Sequence, residues 1–396
     1  MWAAIVGAAL VLAVLSIVYL ISRFAKFGVA RKLAGDRPRM RFLYASLPLV
    51  VFVVCCFFDL VNSVIVLLHL AAFWLIADIV TAIGRKLIRK RNVSENEAPA
   101  QKEPRVYVKG IIVLAFCAIY LVIGAVQAYH VSRTSYAFST SKELPGGKLR
   151  VALIADSHVG VTFDAEGFEK ELKRIEAEKP DILVVAGDFV DDGTTREDMI
   201  ASCRALGSVK TTYGVYFAYG NHDKGYYSNR PYTAAELEAE LRANGVIVLE
   251  DEAVLVADSF YVIGRMDKSE SSRLKMSESI GTSKDGVKGS GERKSIEELL
   301  ADLDRSRFIL VLNHQPNDYE AESGAGVDLV LSGHTHGGQL LPLGPIGRLI
   351  GANDRTYGTE RRGGTQFVVT SGISDWEIRF KTGAHSEYVI IDITSE

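Results

Sequence analysis

Five of the eight histidines in this 396-residue chain lie in short polar turns that also carry carboxylate or amide side chains. The metal-capable residues of these turns are Asp156, His158, Asp188, Asn221, His314, His334 and His336. A set of imidazole, carboxylate and amide groups without thiolates suits divalent Mn, Fe, Zn or Co. One such histidine alone is usually structural, but the joint occurrence has no comparable structural explanation. These residues therefore predict a metal site.

The elements that must position this site are short apolar segments, each typical of a buried strand. Each turn follows one of them, and the segments are residues 149–155, 182–186, 215–219, 308–312 and 327–331. In open α/β sheets, sites form beyond the carboxyl ends of the strands. The spacing therefore predicts that all seven side chains meet at one edge of the fold.

Strand–helix alternation continues through the C-terminal part of the chain and then gives way to strands alone. Helical patterns over residues 164–179, 196–206 and 233–243 separate the early strands. This order favours a layered α/β sandwich of two mixed sheets flanked by helices. Residues 268–294 are rich in Ser, Gly and Lys without periodicity, which predicts a mobile surface loop.

The N-terminal part is of a different kind, because the formal net charge of −3 hides long charge-free apolar runs. Residues 1–130 are predicted to be a transmembrane region with four spans, at about 2–21, 42–58, 61–83 and 110–129. Ser-rich residues 131–148 are predicted to be an extracytoplasmic tether, and residues 149–396 a soluble domain. Cys203 is the one cysteine of that domain, so a disulfide framework is excluded.

Lysine and arginine residues concentrate in the loops between the first and second spans and between the third and fourth. The positive-inside rule makes both loops cytoplasmic and puts the soluble domain outside. We therefore expect a multi-pass protein of the plasma membrane. Membrane topology explains these basic residues better than nucleic-acid binding does, and no nucleic-acid partner is expected.

The five polar turns together resemble the sequence motifs of the calcineurin-like metallophosphoesterases. They occur in the family's order, and the resemblance covers about residues 149–395. The resemblance implies a four-layer α/β/β/α sandwich with two adjacent metal ions. One ion would be held by Asp156, His158, Asp188 and His336, and the other by Asp188, Asn221, His314 and His334. Two divalent ions about 3.5–4 Å apart can activate a bridging water and clamp the phosphate oxygens.

Two further residues are implied to be catalytic by the same resemblance. His222 would face the substrate, donating to a phosphate oxygen or protonating the leaving group. Asp223 is placed to orient the His222 imidazole, although a turn carboxylate that caps backbone N–H groups is an equally good interpretation. The arginine of the phosphoprotein phosphatases is missing from the turn after Asp188, which disfavours a phosphoprotein substrate.

The segment Gly-His-Thr-His-Gly-Gly-Gln at residues 333–339 resembles a bacterial membrane-associated branch of the family, related to UDP-2,3-diacylglucosamine hydrolases. The apolar residues 340–350 follow it. They could enter the membrane interface or hold acyl chains, or they could fold over the domain's own core.

The sequence thus predicts a membrane-anchored phosphoesterase with two divalent ions, Mn favoured. It would hydrolyse a phosphoester or pyrophosphate bond by attack of a metal-bound hydroxide. The expected partners are membrane lipids and a phosphorylated small-molecule or lipid-like substrate, and a lipid-linked or cell-envelope compound is the favoured substrate. The alternative is a membrane sensor or transporter whose soluble domain binds a phosphorylated ligand without turnover. The spans carry few polar groups, so transport finds little support.

Overall fold

The computed structural model describes residues 2–91, 106–225, 230–270, 292–341 and 344–396. The chain divides into two compact units, Met1–Ile123 and Gly124–Glu396. Most of the predicted mobile loop at 268–294 lies outside the described residues, as do two positions of the apolar segment 340–350.

The N-terminal part consists of helices with long apolar stretches. The helices are α1 (Trp2–Phe24), α2 (Gly28–Ala34), α3 (Pro38–Cys56), α4 (Leu60–Arg91) and α5 (Val108–Tyr129). Three segments are long and apolar enough to cross a membrane: Pro38–Cys56, Leu60–Ile88 and Val108–Tyr129. A fourth crossing results if α1 and α2, which meet at a 76° bend, together form one span. The described residues therefore contain three to four candidate spans.

The second unit contains two six-stranded mixed sheets. The first has the order β1-β12-β2-β3-β4-β5, and the second has the order β10-β11-β9-β8-β7-β6. The strands of the first are β1 (Ser132–Thr140), β2 (Lys148–Ile154), β3 (Ile182–Ala186), β4 (Val215–Ala218), β5 (Ile247–Leu249) and β12 (Glu387–Ser395). The strands of the second are β6 (Glu252–Val256), β7 (Phe260–Gly264), β8 (Phe308–Leu312), β9 (Leu329–Ser332), β10 (Gly358–Arg362) and β11 (Thr365–Val369).

Both faces of the central strands are buried, as expected for parallel strands. In β3, Val184 packs in a core that also contains Leu310 and Leu331 of the second sheet. Its neighbour Val185 packs on the other face, in a cluster with Phe168. The helices that follow the strands are α6 (Ala165–Ala177), α7 (Arg196–Gly207), α8 (Ala234–Ala243), α9 (Ile296–Leu300), α10 (Tyr319–Gly324) and α11 (Ile346–Leu349).

Helices α6 and α7 begin where the sequence supplies a side-chain cap. The side chains of Asp164 and Thr195 accept hydrogen bonds from backbone N–H groups in the first turns of α6 and α7. Such a cap contributes about 1 kcal/mol to helix stability. The buried face of α6 then presents Phe168 and Ile175 to the first sheet, which fixes the strand ends that carry the site.

The segment expected to be a tether is largely a strand. Ser132–Thr140 pairs in parallel with β12, in a continuous register from Ser132↔Glu387 to Thr140↔Ser395. Every second side chain of β1 is half-buried, and Tyr136 and Phe138 pack against the core between the sheets. The prediction of a tether is therefore wrong for residues 132–140, because the Ser- and Thr-rich composition concealed a period-two pattern.

Candidate metal centre

The seven predicted ligands lie at the carboxyl ends of five strands. Asp156, Asp188 and Asn221 follow β2, β3 and β4, which run parallel in the first sheet. His314 follows β8, and the turn with His334 and His336 follows its parallel neighbour β9. The structure brings these side chains together, so the geometric prediction of one site at the strand ends agrees with the fold.

Asp156, His158 and His336 form one group, with potential ligand atoms within 4.8 Å of one another. The backbone N–H of His334 donates to both carboxylate oxygens of Asp156 at 3.0 Å, which fixes the carboxylate. The Nε2 atom of His158 and the Nδ1 atom of His336 are buried and have no hydrogen-bond partner among the described residues. Buried nitrogens without partners are costly unless something binds them, so this group fits a cation.

A second group consists of Asp188, His314 and His334. The Nδ1 atom of His314 donates to the carbonyl oxygen of Ala186 at 2.7 Å. This hydrogen bond fixes the tautomer, as is usual for metal-binding histidines, and leaves Nε2 with its lone pair. Nε2 lies 3.1 Å from Asp188 Oδ2 and 3.1 Å from Asn221 Oδ1.

Asp188 lies between the two groups. Its Oδ2 atom is 3.1 Å from His314 Nε2 and 3.7 Å from His158 Nε2, while its Oδ1 accepts the backbone N–H of His222 at 2.8 Å. A Cβ atom at Gly220 would lie 2.2 Å from Asp188 Oδ1. The glycine is therefore required for the close approach of the two turns. This placement fits a carboxylate shared by two ions.

The backbone of the site is held in an uncommon conformation. Asp156, His158, Asp188, His334 and His336 all have positive φ angles, between 37° and 70°. Residues other than glycine adopt positive φ angles at a cost of about 1–3 kcal/mol each, so the conformation persists only where the surrounding structure holds it. Backbone hydrogen bonds do so here. Asp156 N donates to Gly187 O, and Gly333 N donates to His314 O.

Burial and neighbouring charges shift the pKa values of the side chains in the site in different directions. Burial lowers the pKa of His334 to about 3, and burial also lowers the pKa of His336. Burial raises the pKa of Asp156 to about 6. Asp188 and Asp156 raise the pKa of His314 despite its burial, so the site stabilises a positive charge at this position. The same negative potential favours a bound cation, which requires neutral imidazoles.

His222 is oriented by Asp191, not by the predicted Asp223. The Nδ1 atom of His222 lies 3.0 Å from Asp191 Oδ1, and the Nδ1 atom of His158 lies 3.1 Å from Asp191 Oδ2. Although burial opposes it, the hydrogen bond to Asp191 raises the pKa of His222 to about 9. Hydrogen bonds from both histidines likewise lower the pKa of Asp191. Asp191 was missed by the sequence analysis, although its place three residues after Asp188 puts it in the same turn.

Asp223 has a structural position. Its carboxylate accepts backbone N–H groups at 2.7–3.2 Å, and the donors are Gly220, Asp188, Phe189 and Val190. The prediction that Asp223 orients the His222 imidazole is therefore wrong, because Asp223 binds backbone N–H groups and Asp191 faces the imidazole. The alternative left open by the sequence, a carboxylate that caps a turn, agrees with the structure because four donors saturate both oxygens.

A loop that the sequence analysis did not single out closes one side of the site. In this 371–386 loop, Ser374 N donates to the backbone oxygen of Asp156, and Trp376 lies with its ring centre 5.8 Å from that of His222. The fully buried Lys381 donates to the carbonyl oxygens of Ser371 and Ser374, both at 2.8 Å. Lys381 also pairs with Asp375 at 3.2 Å, so one ammonium group holds the loop together.

Comparison with known proteins agrees with this geometry. Residues 149–338 match the sequence profile of the family described as Calcineurin-like phosphoesterase. An uncharacterized metallophosphoesterase from Aquifex aeolicus is 31% identical over 262 residues, covering 64% of this chain and 90% of the relative. A transmembrane protein with metallophosphoesterase domain from Danio rerio is 28% identical over 271 residues, covering 66% of this chain. The chain spans 56% of the length of that relative.

Among solved structures, a dimetal phosphatase from Danio rerio superposes with a TM-score of 0.34 and 16% identity, covering 56% of this chain and 86% of that chain. The mixed α/β sheets fit a metallophosphoesterase fold, and the His and Asp groups fit a dinuclear divalent metal site. From the sequence match and the relative from Aquifex aeolicus, the chain belongs to the calcineurin-like phosphoesterases and is a metal-dependent phosphoester hydrolase.

Proposed function

We propose that this protein is a membrane-anchored phosphoesterase that uses two metal ions to hydrolyse a phosphoester or pyrophosphate bond of a lipid-linked or cell-envelope substrate. The observation that carries the proposal is Asp188, whose Oδ2 atom faces His158 on one side and His314 on the other. A carboxylate between two sets of ligands is what a shared pair of divalent ions requires.

The proposed ligands follow the two spatial groups. One ion would be held by Asp156, His158, Asp188 and His336, and the other by Asp188, Asn221, His314 and His334. Two such ions, when bound, lower the pKa of a bridging water and stabilise the entering and leaving oxygens of an in-line displacement. Among the metals that suit this donor set we favour Mn, with Fe, Zn and Co as the other candidates.

The protein's own acid–base group in this proposal is His222. Asp191 accepts from its Nδ1 atom, so Nε2 is the nitrogen with which His222 would act on the substrate. Although burial opposes it, the hydrogen bond to Asp191 favours the protonated form of this imidazole. A protonated imidazole beside the metal ligands can donate a proton to the leaving oxygen, and such a group contributes about 10²- to 10⁴-fold in rate.

The membrane part of the proposal concerns architecture and substrate. We propose four spans, with α1 and α2 forming one bent span, and a catalytic unit on the extracytoplasmic side organised as a four-layer α/β/β/α sandwich. The three to four apolar helices and the basic loops between them support this arrangement. The Gly-His-Thr-His-Gly-Gly-Gln segment supports the membrane-associated branch and hence an amphipathic substrate.

The full chain, purified in detergent and supplied with Mn, tests this function against a phosphomonoester, a phosphodiester and a lipid pyrophosphate. We expect turnover of at least one substrate class, near-complete loss in Asp188→Ala, and a loss of about 10²-fold or more in His222→Ala. Glu169→Ala, an exposed position on α6, is the matched control and should retain wild-type rates. Normal turnover by Asp188→Ala would contradict the proposal.

Orientation is tested separately, by a topology reporter fused after Glu396. A reporter that is active only on the extracytoplasmic side supports the proposed orientation. A reporter that is active only in the cytoplasm overturns the orientation and leaves the chemistry untouched.

A further inference from the structure

The chain directly after the metal-binding turn exposes several large apolar side chains. We call residues Gln339–Leu341 and Gly344–Asn353 the apolar flap. Leu341, Ile346, Leu349 and Ile350 are 51%, 43%, 81% and 68% exposed. Arg348 is the one charged residue of the flap. Grouped apolar side chains exposed in this way mark an interaction surface.

The first part of the apolar flap is held in place by hydrogen bonds to residues that follow the flap in the chain. Leu341 N donates to Thr382 Oγ1 at 3.0 Å, and Thr356 Oγ1 donates to Gly344 O at 3.1 Å. After Gly344, helix α11 forms backbone hydrogen bonds from Leu349 N to Pro345 O and from Ile350 N to Ile346 O, both at 3.0 Å. The backbone that carries the exposed side chains is therefore held by hydrogen bonds, and these side chains do not pack on the domain's own core.

The same framework continues into the end of the apolar helix α5. Lys381 N donates to Gly124 O at 2.9 Å, and a Cβ atom at Gly124 would lie 2.8 Å from Thr382 Cγ2. Nearer the end of the helix, Ser386 N donates to Gln127 O at 2.8 Å. All of these residues belong to the second unit.

These contacts determine the depth of the flap once α5 crosses a bilayer. A helix of 22 residues is about 33 Å long, just enough to span a hydrocarbon layer of about 30 Å. Gly124 precedes the last helical residue, Tyr129, by about 7.5 Å along the axis. With the helix centred in that layer, Gly124 lies about 6 Å inside the edge of the hydrocarbon. Thr382, and Leu341 bonded to it, therefore lie in the outer part of the hydrocarbon layer. Val126, at the same level, is 59% exposed.

We propose that the apolar flap inserts into the bilayer surface beside the end of α5, so that the metal centre opens at the boundary between lipid and water. Its substrates are then phosphoesters in lipid headgroups, presented laterally by the membrane. The flap leads directly from His336, so an inserted flap places the headgroup layer next to the proposed ligands. Arg348 adds attraction to anionic lipids. The substrate part of this inference rests on the proposed phosphoesterase activity, whereas the insertion rests only on α5 crossing the bilayer.

Insertion is measured by quenching from brominated lipids. Cys55 and Cys56 are first replaced by Ala so that the label cannot react with them. Cys117 and Cys203 can stay because they are buried. A bimane label is then placed at Leu349→Cys in the full chain, reconstituted in phosphatidylcholine–phosphatidylglycerol vesicles with or without bromine on the acyl chains. We expect at least a twofold drop in fluorescence. Ile350→Cys is a second position on the same surface, in case the first variant does not fold.

The control is Leu255→Cys, which is 39% exposed on the edge strand β6. It should keep its fluorescence in both kinds of vesicle. Equal quenching at both sites, or none at Leu349→Cys and Ile350→Cys, overturns the inference. If the fluorescence of the label changes with protein concentration and not with lipid bromination, the flap binds a second copy of the chain. That result also overturns the inference. Turnover of a soluble phosphodiester by the wild-type chain tests the proposed function on its own, so the two failures are distinguishable.

Discussion

Replacing Asp191 by Asn tests the proposed catalytic arrangement most directly. The two carboxylate oxygens of Asp191 face two imidazoles, at 3.0 Å from His222 Nδ1 and 3.1 Å from His158 Nδ1. Each ring can therefore donate to its own acceptor. An amide has one acceptor oxygen, so one of the two rings must face an NH₂ group that cannot accept. The substitution keeps the size of the side chain and removes one hydrogen bond.

The magnitude follows from that one lost bond. A hydrogen bond to a charged group contributes about 1.5–3 kcal/mol, which corresponds to about 10- to 150-fold in a rate or a binding constant. If His222 loses its acceptor, kcat falls by this factor because the ring is no longer held toward the substrate. If His158 loses it, the Mn concentration for half-maximal activity rises instead, because an outer hydrogen bond no longer orients a ligand.

The assay is steady-state hydrolysis of a soluble phosphodiester by the full chain, titrated with Mn, for wild type, Asp191→Asn and the exposed control Glu169→Gln. We expect the control to match wild type and Asp191→Asn to lose about 10-fold or more in kcat or in Mn affinity. Thermal unfolding should change little. Wild-type kcat together with wild-type Mn dependence in Asp191→Asn would refute the reasoning.

Three further outcomes are expected. Asp223→Asn leaves buried N–H donors unsatisfied and should lower the unfolding free energy by about 2 kcal/mol or more, seen as a lower Tm; an unchanged Tm with lost activity contradicts this. Mn at about 100 times its Kd should stabilise the catalytic unit by about 2.7 kcal/mol per site, and a chelator should reverse the Tm shift; a Tm that ignores Mn argues against the site. Lys381→Met should cost about 3–5 kcal/mol because Asp375 is left buried and unpaired, whereas the exposed control Lys173→Met should cost less than about 0.5 kcal/mol; equal Tm values for the two would contradict the role given to Lys381.

The placement of the proposed ligands could be predicted from the sequence because it depends on local order. An apolar strand followed by a polar turn fixes where Asp156, Asp188 and His314 emerge, and parallel strands bring their ends to one edge. The resemblance then separated the ligands into two sets. The structure brings Asp156, His158 and His336 together in one cluster and Asp188, His314 and His334 in another, while the division of the ligands between two ions stays a prediction.

What could not be predicted depends on contacts distant in the chain. Asp191 and Asp223 are both acids in polar turns, and only tertiary structure shows which one faces His222 and which one binds backbone N–H groups. Lys381 looks like an ordinary surface lysine until the 371–386 loop folds around it. The strand β1 escaped notice because its partner is 255 positions later, so no local signal marks the pairing.

The position of β12 has a consequence for the biosynthesis of the protein. In the first sheet β12 lies between β1 and β2, although it is made some 250 residues after them. During synthesis, β1 and β2 therefore lack the strand that joins them until β12 has been made. Their unpaired edges are open to aggregation and proteolysis throughout that time. A premature stop anywhere before residue 387 would leave these edges permanently unpaired, so damaged transcripts should yield chains that quality control removes rather than partly active enzymes.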